Sequence, residues 1–129
     1  RRLLDELQQI SRTTTLQMKL EALADGLREG RSDASVIGRV GNGIRASEAV
    51  AAALWAVLRY GSSPEECVVR AVGFGGDTDT IGAMAGAMAG ALHGASWIPA
   101  RWYDNMENGP RGRDEIVRLS RGLASLTCA

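Results

Sequence analysis

Between Arg70 and Arg101 the chain carries no cation, and residues 81–98 carry no charged side chain at all. Most of that run is Ala, Gly and Met, with Gly82, Gly86, Gly90 and Gly94 spaced four apart. A period of four keeps residues on one helix face, and small residues there form a ridge that another helix can approach closely. In lipid such spacing reads as a dimerisation face. The run is only just long enough to span a bilayer, which takes ~20 residues. Its Ala and Gly are also poorly hydrophobic, and His93 and Ser96 interrupt it. The expected structure is therefore a central helix buried on all sides in an all-α bundle, with no membrane span.

The remaining apolar residues recur at helical spacing as well. Leu3, Leu4, Leu7 and Ile10 share one face, and Leu16, Leu20, Leu23 and Leu27 share another that closes at Gly30. A short segment over residues 32–40 leads into the loop signal Gly41-Asn42-Gly43. Residues 47–60 are rich in Ala, Leu and Val and predict a buried helix ending at Gly61. Ser63-Pro64-Glu65-Glu66 predicts the next helix start: Ser63 as cap, Pro64 at the first position and Glu66 completing a capping box. Pro99 and residues 104–113 predict a loop, and residues 115–126 an amphipathic helix. Alternating β-branched runs are absent, so the fold is expected to be all-α.

Charge excludes several function classes. Lys+Arg 15 balance Asp+Glu 15, and the cations are scattered, so no phosphate-backbone binder is expected. Cys67 and Cys128 form no disulfide framework and read as reduced thiols. The chain opens without Met or a secretory leader, and the expectation is a cytoplasmic protein represented by a fragment or processed piece.

One segment carries chemistry: Gly73-Phe74-Gly75-Gly76-Asp77-Thr78-Asp79-Thr80-Ile81. Helix capping by Asp or Thr explains one carboxylate. Two carboxylates in apolar surroundings call for a cation, and none lies nearby in sequence. Carboxylate and hydroxyl oxygens suit a hard ion such as Mg²⁺, Ca²⁺ or Mn²⁺ better than Zn²⁺. A calcium-binding EF-hand loop fails, because Ile81 and Met88 stand where ligands belong. A dinucleotide fingerprint from Gly73 fails at Thr78. The phosphatase signature with paired Asp places Asp77 as nucleophile but requires a hydrophobic strand before it; a phosphoryl hydrolase of that kind is the alternative enzyme.

A closer match exists. Gly75-Gly76-Asp77-Thr78-Asp79-Thr80-Ile81, followed by an Ala/Gly/Met helix ending near Gly94 and Pro99, resembles the C-terminal part of the ADP-ribosylglycohydrolase family. Gly41-Asn42-Gly43-Ile44 before a long Ala-rich helix is similar to a second landmark of that family, and the order of landmarks agrees over residues 16–125. Within the family, the chain resembles the branch that cleaves poly(ADP-ribose) and serine-linked ADP-ribose.

The resemblance implies a compact orthogonal helix bundle of which residues 1–129 are the C-terminal part of a single domain. It implies a two-Mg²⁺ site with Asp77, Asp79 and Thr80 as ligands, Asp79 bridging, and Asn42, Gly43 and Ile44 bordering bound ADP-ribose. The implied reaction is hydrolysis at the ribosyl C1″, with ADP-ribose or an ADP-ribosylated protein as substrate. The family's further ligands, a Glu and a Thr-Asp-Asp run, belong to an N-terminal half; this chain has no such run, so that half is an expected partner and no catalytic acid or base is assigned. A bundle lacking its complement should expose apolar surface and self-associate. A non-catalytic helical assembly module is the remaining alternative.

Other residues receive structural readings. His93 is expected to pack or cap, and Met84 and Met88 to fill the core. Glu48 either faces the loop at residues 41–44 or caps the helix, with the cap favoured. Trp97, Trp102 and Tyr103 are expected to form a hydrophobic lid over helix ends, and Cys67 to be inert.

Overall fold

The structure is a computed structural model and describes residues 2–127; Arg1 and Cys128, with the thiol expected there, lie outside the described residues. Those residues form helices and no strand, as the patterning predicts: α1 (Arg2–Ile10), α2 (Thr14–Glu29), α3 (Asp33–Val40), α4 (Ala46–Tyr60), α5 (Pro64–Gly73), α6 (Thr78–His93), α7 (Ala100–Tyr103) and α8 (Arg113–Thr127). They fall into two units, one holding α1–α6 up to Trp97, the other holding α7 and α8 from Ile98.

Local chemistry sets most boundaries. Gly30 ends α2 by entering the left-handed region at φ 64° and donating its N–H to the Gly26 carbonyl. The Ser32 hydroxyl accepts the Ser35 N–H at 3.4 Å and opens α3. Pro64 takes the first position of α5, but the expected capping box does not form. Ser63 makes no side-chain cap bond, and Glu66 pairs instead with Arg70 at 3.2 Å, one turn along. A guanidinium offers a charge-assisted bond, which is stronger than one to a neutral amide.

The first unit is built around α4, which packs against α2, α3, α5 and α6. Ala49, Ala51, Ala52, Ala53, Leu54, Trp55, Ala56 and Val57 are all buried. Trp55 is enclosed by Gly26, where a Cβ would lie 2.6 Å from a Val36 methyl and 3.1 Å from the indole. Its indole N–H donates to Asp33 Oδ1 at 2.9 Å, and the Tyr60 hydroxyl donates to Asp33 Oδ2 at 2.7 Å. The polar edges at this end of the core are thus satisfied by one carboxylate.

α6 packs on α4 and α5. It is not buried on all sides, contrary to the sequence expectation. Ile81, Gly82, Ala85 and Ala89 are buried, whereas Ala83, Ala87, Ala91 and Leu92 face outward. An Ala methyl has so little area that leaving it exposed is cheap, and an uncharged helix need not be an enclosed one. The glycine ridge is also narrower than its spacing suggests. Only Gly82 is sterically required, since a Cβ there would lie 2.8 Å from a Val72 methyl; at Gly86 the nearest atom is 3.8 Å away and Gly90 faces open space. Met84 and Met88 pack against the core as expected. His93 fastens the far end of the helix by donating from Nε2 to the Gly61 carbonyl at 2.6 Å, in keeping with its predicted capping role.

Exposed apolar side chains in this unit include Ile10, Met18, Ile44 and Leu92. No helix among the described residues is long and apolar enough to cross a membrane. In the second unit, Arg113 stacks 4.3 Å from the Tyr103 ring centroid and donates to the Tyr103 carbonyl at 2.9 Å, tying α7 to the start of α8. α7 is a single turn between Pro99 and the 104–113 stretch read as loop.

The one-sidedness of α6 is directly testable. Ala85→Leu forces volume into the core and should cost about 1–3 kcal/mol of stability. Ala87→Leu, on the outer face, should stay within about 0.5 kcal/mol of the parent chain. Urea denaturation of both variants reads the difference, and equal losses would mean that both faces are enclosed.

Candidate functional site

Two loops that are remote in sequence meet at the N-terminal ends of α4 and α6. The first, residues 41–45, precedes α4; the second, residues 74–77, joins α5 to α6. Asn42 holds them together with two bonds. Its side-chain Nδ2 donates to the Phe74 carbonyl at 2.8 Å, and its main-chain carbonyl accepts the Asp77 N–H at 2.8 Å. The approach is so close that a Cβ on Gly76 would collide with the Asn42 carbonyl. Gly75 and Gly76 also stand at φ 74° and 69°, so both sterics and backbone conformation call for glycine there.

This junction brings Asn42, Gly43 and Asp77 into one site, with Asp79 and Thr80 following on the first turn of α6. Asp77 occupies the N-cap position, yet its side chain makes no cap hydrogen bond. Asp79 accepts the Thr80 N–H at 2.8 Å. Backbone N–H donation, from Thr80 first, holds the Asp79 carboxyl below the usual aspartate range. The positive end of the α6 dipole favours the same ionised state.

Exposure alters one premise of the sequence reading. Asp79 is exposed and Asp77 half-buried, so the pair sits at the open end of α6 rather than against the core. Desolvation therefore does not compel a counter-ion. What remains is a pair of carboxylates that no cation neutralises among the described residues, one of them ready at an N-cap without capping. Beside them is the Thr80 hydroxyl. These are hard oxygen donors suited to a cation such as Mg²⁺, but they make only part of a shell. No group of three or more His, Cys, Asp or Glu side chains placed to hold a metal ion occurs among the described residues.

Ile44 is 88% exposed at the tip of its loop. Glu48, read from sequence as a cap for α4, bonds elsewhere, since its Oε2 accepts the Gly43 N–H at 3.0 Å. A capping carboxylate would stop at the N-cap residue, Arg45; this one reaches back two residues further because Gly41 and Gly43 leave it room. The alternative sequence reading, in which Glu48 faces the loop, is the one the structure shows. The Phe74 carbonyl, being main chain, carried no signal at all.

The hydrophobic strand that a phosphatase-type Asp77 requires is replaced by α5. Cys67 is buried and desolvation pushes its thiol pKa up, which agrees with an inert residue. A cleft of about 660 Å³ is lined by Asp33, Ile37, Val69, Arg70 and Phe74, among others, and includes neither Asp77 nor Asp79.

Comparison with known proteins places these loops in context. A family model described as ADP-ribosylglycohydrolase matches residues 1–129. The chain is 39% identical to ADP-ribosylhydrolase ARH3 of Danio rerio over 72% of this chain and 27% of that protein. It is 38% identical to ADP-ribosylhydrolase ARH3 of Bos taurus and 37% to that of Homo sapiens, in both cases over 68% of this chain and 26% of the relative. The chain thus spans about a quarter of the length of the curated relatives it matches. No solved structure gives a significant match.

The Asp79 environment has a defined pH signature. Its folded pKa is depressed, so its contribution to stability is fully present above the unfolded value of about 3.9 and is lost as pH falls through the lower folded value. A carboxyl-carbon NMR titration should place the Asp79 midpoint below about 3.9. A midpoint at or above the ordinary value in the parent chain would contradict the hydrogen-bonded arrangement.

Proposed function

The chain belongs to the ADP-ribosylglycohydrolase family, and we propose that it supplies the metal-holding turn and one substrate loop of a Mg²⁺-dependent ADP-ribosyl hydrolase. The reaction is hydrolysis of the glycosidic bond at the ribosyl C1″ of an ADP-ribosylated protein or of poly(ADP-ribose), releasing ADP-ribose. The observation that carries this reading is the bond from the Asp77 N–H to the Asn42 carbonyl. It joins the two motifs that the resemblance assigns to metal and to ligand.

Each residue then has a role. Asp77, Asp79 and Thr80 would hold two Mg²⁺ ions through carboxylate and hydroxyl oxygens, with Asp79 as the shared ligand. The lowered pKa of Asp79 keeps an anion available to them at any pH near neutrality. Bound magnesium supplies the positive charge that polarises a substrate oxygen or a water. Asn42, Gly43 and Ile44 form the wall beside the ribose and adenine, with the exposed Ile44 side chain offering apolar contact. Neither aspartate is a proton carrier in this scheme, because both are committed to metal. The remaining ligands and the general acid or base come from a segment equivalent to the family's N-terminal half, which is the proposed partner.

Calorimetric titration of ADP-ribose, with and without Mg²⁺, tests the assignment. Binding is expected only with Mg²⁺, and Asp77→Asn/Asp79→Asn should weaken it at least tenfold, a difference of about 1.4 kcal/mol. If the chain alone is silent, adding the complementary segment should restore binding to the parent and not to the double variant. Equal binding by parent and double variant would overturn the assignment, and silence in both arrangements would favour a helical assembly module.

A further inference from the structure

Glu48 stands outside the proposed set of ligands, yet its carboxylate lies inside the curve of the substrate loop. A Cβ on Gly41 would be 2.8 Å from Glu48 Cδ, and a Cβ on Gly43 would be 2.7 Å from Oε2. The loop therefore wraps around this carboxylate, and a side chain at either glycine would have to push it aside. Gly41 also stands at φ 82°. The side chain is largely sheltered, at 22% exposure, while Arg45, whose guanidinium lies 4.0 Å away, is mostly in solvent.

The Asn42 carbonyl and the Gly43 N–H belong to the same peptide unit, and they point in opposite directions. The N–H donates to Glu48 Oε2 at 3.0 Å, while the carbonyl accepts the Asp77 N–H at 2.8 Å. One peptide plane is thus strung between Glu48 on α4 and Asp77 at the start of α6. Reversing that plane would break both bonds at once, and glycine at 43 makes such a reversal sterically cheap. A carboxylate on the N–H also polarises the carbonyl on the other side and strengthens its bond to Asp77.

We propose that Glu48 is a positioning residue of the site: by fixing the Asn42–Gly43 peptide it places Asp77, and thereby sets the affinity of the acidic turn for a divalent cation, without touching cation or substrate. The cation part of this inference rests on the function proposed above; the mechanical coupling from Glu48 through the peptide to Asp77 rests on the hydrogen bonds alone.

The two parts separate in one experiment on the full chain. Amide hydrogen exchange at Gly43 and Asp77 is measured by NMR in the parent, Glu48→Ala and Glu48→Gln, followed by a Mg²⁺ titration read at the aspartate carboxyl carbons. Glu48→Ala should accelerate exchange at both amides at least tenfold, leave Ala52 and Ala53 in the α4 core protected, and weaken Mg²⁺ about tenfold. Glu48→Gln retains an oxygen acceptor and should restore both amides and Mg²⁺ affinity to within about threefold, since net hydrogen-bond differences are small. Gly43→Ala, whose methyl would displace the carboxylate, should reproduce the exchange behaviour of Glu48→Ala. It keeps the test open should that variant fail to fold. Acceleration at Gly43 alone overturns the coupling. A Gln variant as defective as the Ala variant overturns the hydrogen-bonding role in favour of a charge effect. Coupled acceleration with no Mg²⁺ binding, even once the complementary segment is added, upholds the coupling and overturns the metal reading.

Discussion

The close packing of α4 is the constraint on which the rest of the larger unit depends. Four helices lie against it, and they approach closely because most of its inward positions are alanines. Trp55 is the largest side chain among them; the space it needs comes from Gly26, and an Asp33 carboxylate accepts both its N–H and the Tyr60 hydroxyl. Because α4 and α6 pack directly together, their N-terminal ends are held at a fixed separation, and the loops that precede them meet. The Asn42 bridge is possible only because this packing has already carried residues 42 and 77 to the same place.

What the packing delivers is electrostatically incomplete. The α6 N-terminus, with its unpaired amides and dipole, favours anions. Asp79 uses one of those amides, and its lowered pKa follows from that bond first. Asp77 makes no capping bond, so its carboxylate is not consumed by the helix it begins. A helix that merely needed capping would have been served by one aspartate. The second adds negative charge without a cation among the described residues, which costs the fold a little and gives the site an affinity for positive charge.

The helices were legible in the sequence because their signals are local: leucine spacing in α2, the left-handed stop at Gly30, proline at the head of α5. The acidic turn was legible for the same reason, as was the Gly41-Asn42-Gly43 loop. Burial was read less well. α4 and α6 are both Ala-rich and nearly uncharged, yet one is enclosed and the other is half open, because enclosure depends on how many neighbours the topology supplies. Side-chain choices among competing partners also escaped the sequence. Glu66 chose Arg70 over its capping box, and Glu48 chose the Gly43 amide over its own helix end. The Asn42–Asp77 bond escaped entirely, since it links main-chain atoms and leaves no residue pattern.

The outward side of α6 bears directly on the site. Asp79, Ala83, Ala87 and Ala91 follow one another at intervals of four, so the exposed ridge of the helix begins at the exposed carboxylate. The buried row, Ile81, Ala85 and Ala89, runs along the opposite side and anchors the helix to α4 and α5. A smooth ridge of methyl groups resists nothing sterically and allows close approach by another helix. The same small side chains that deprive α6 of enough apolar area to bury itself all round therefore leave an exposed row of methyl groups that ends at the acidic turn, so the open face of the helix and its open, charged end are one continuous surface.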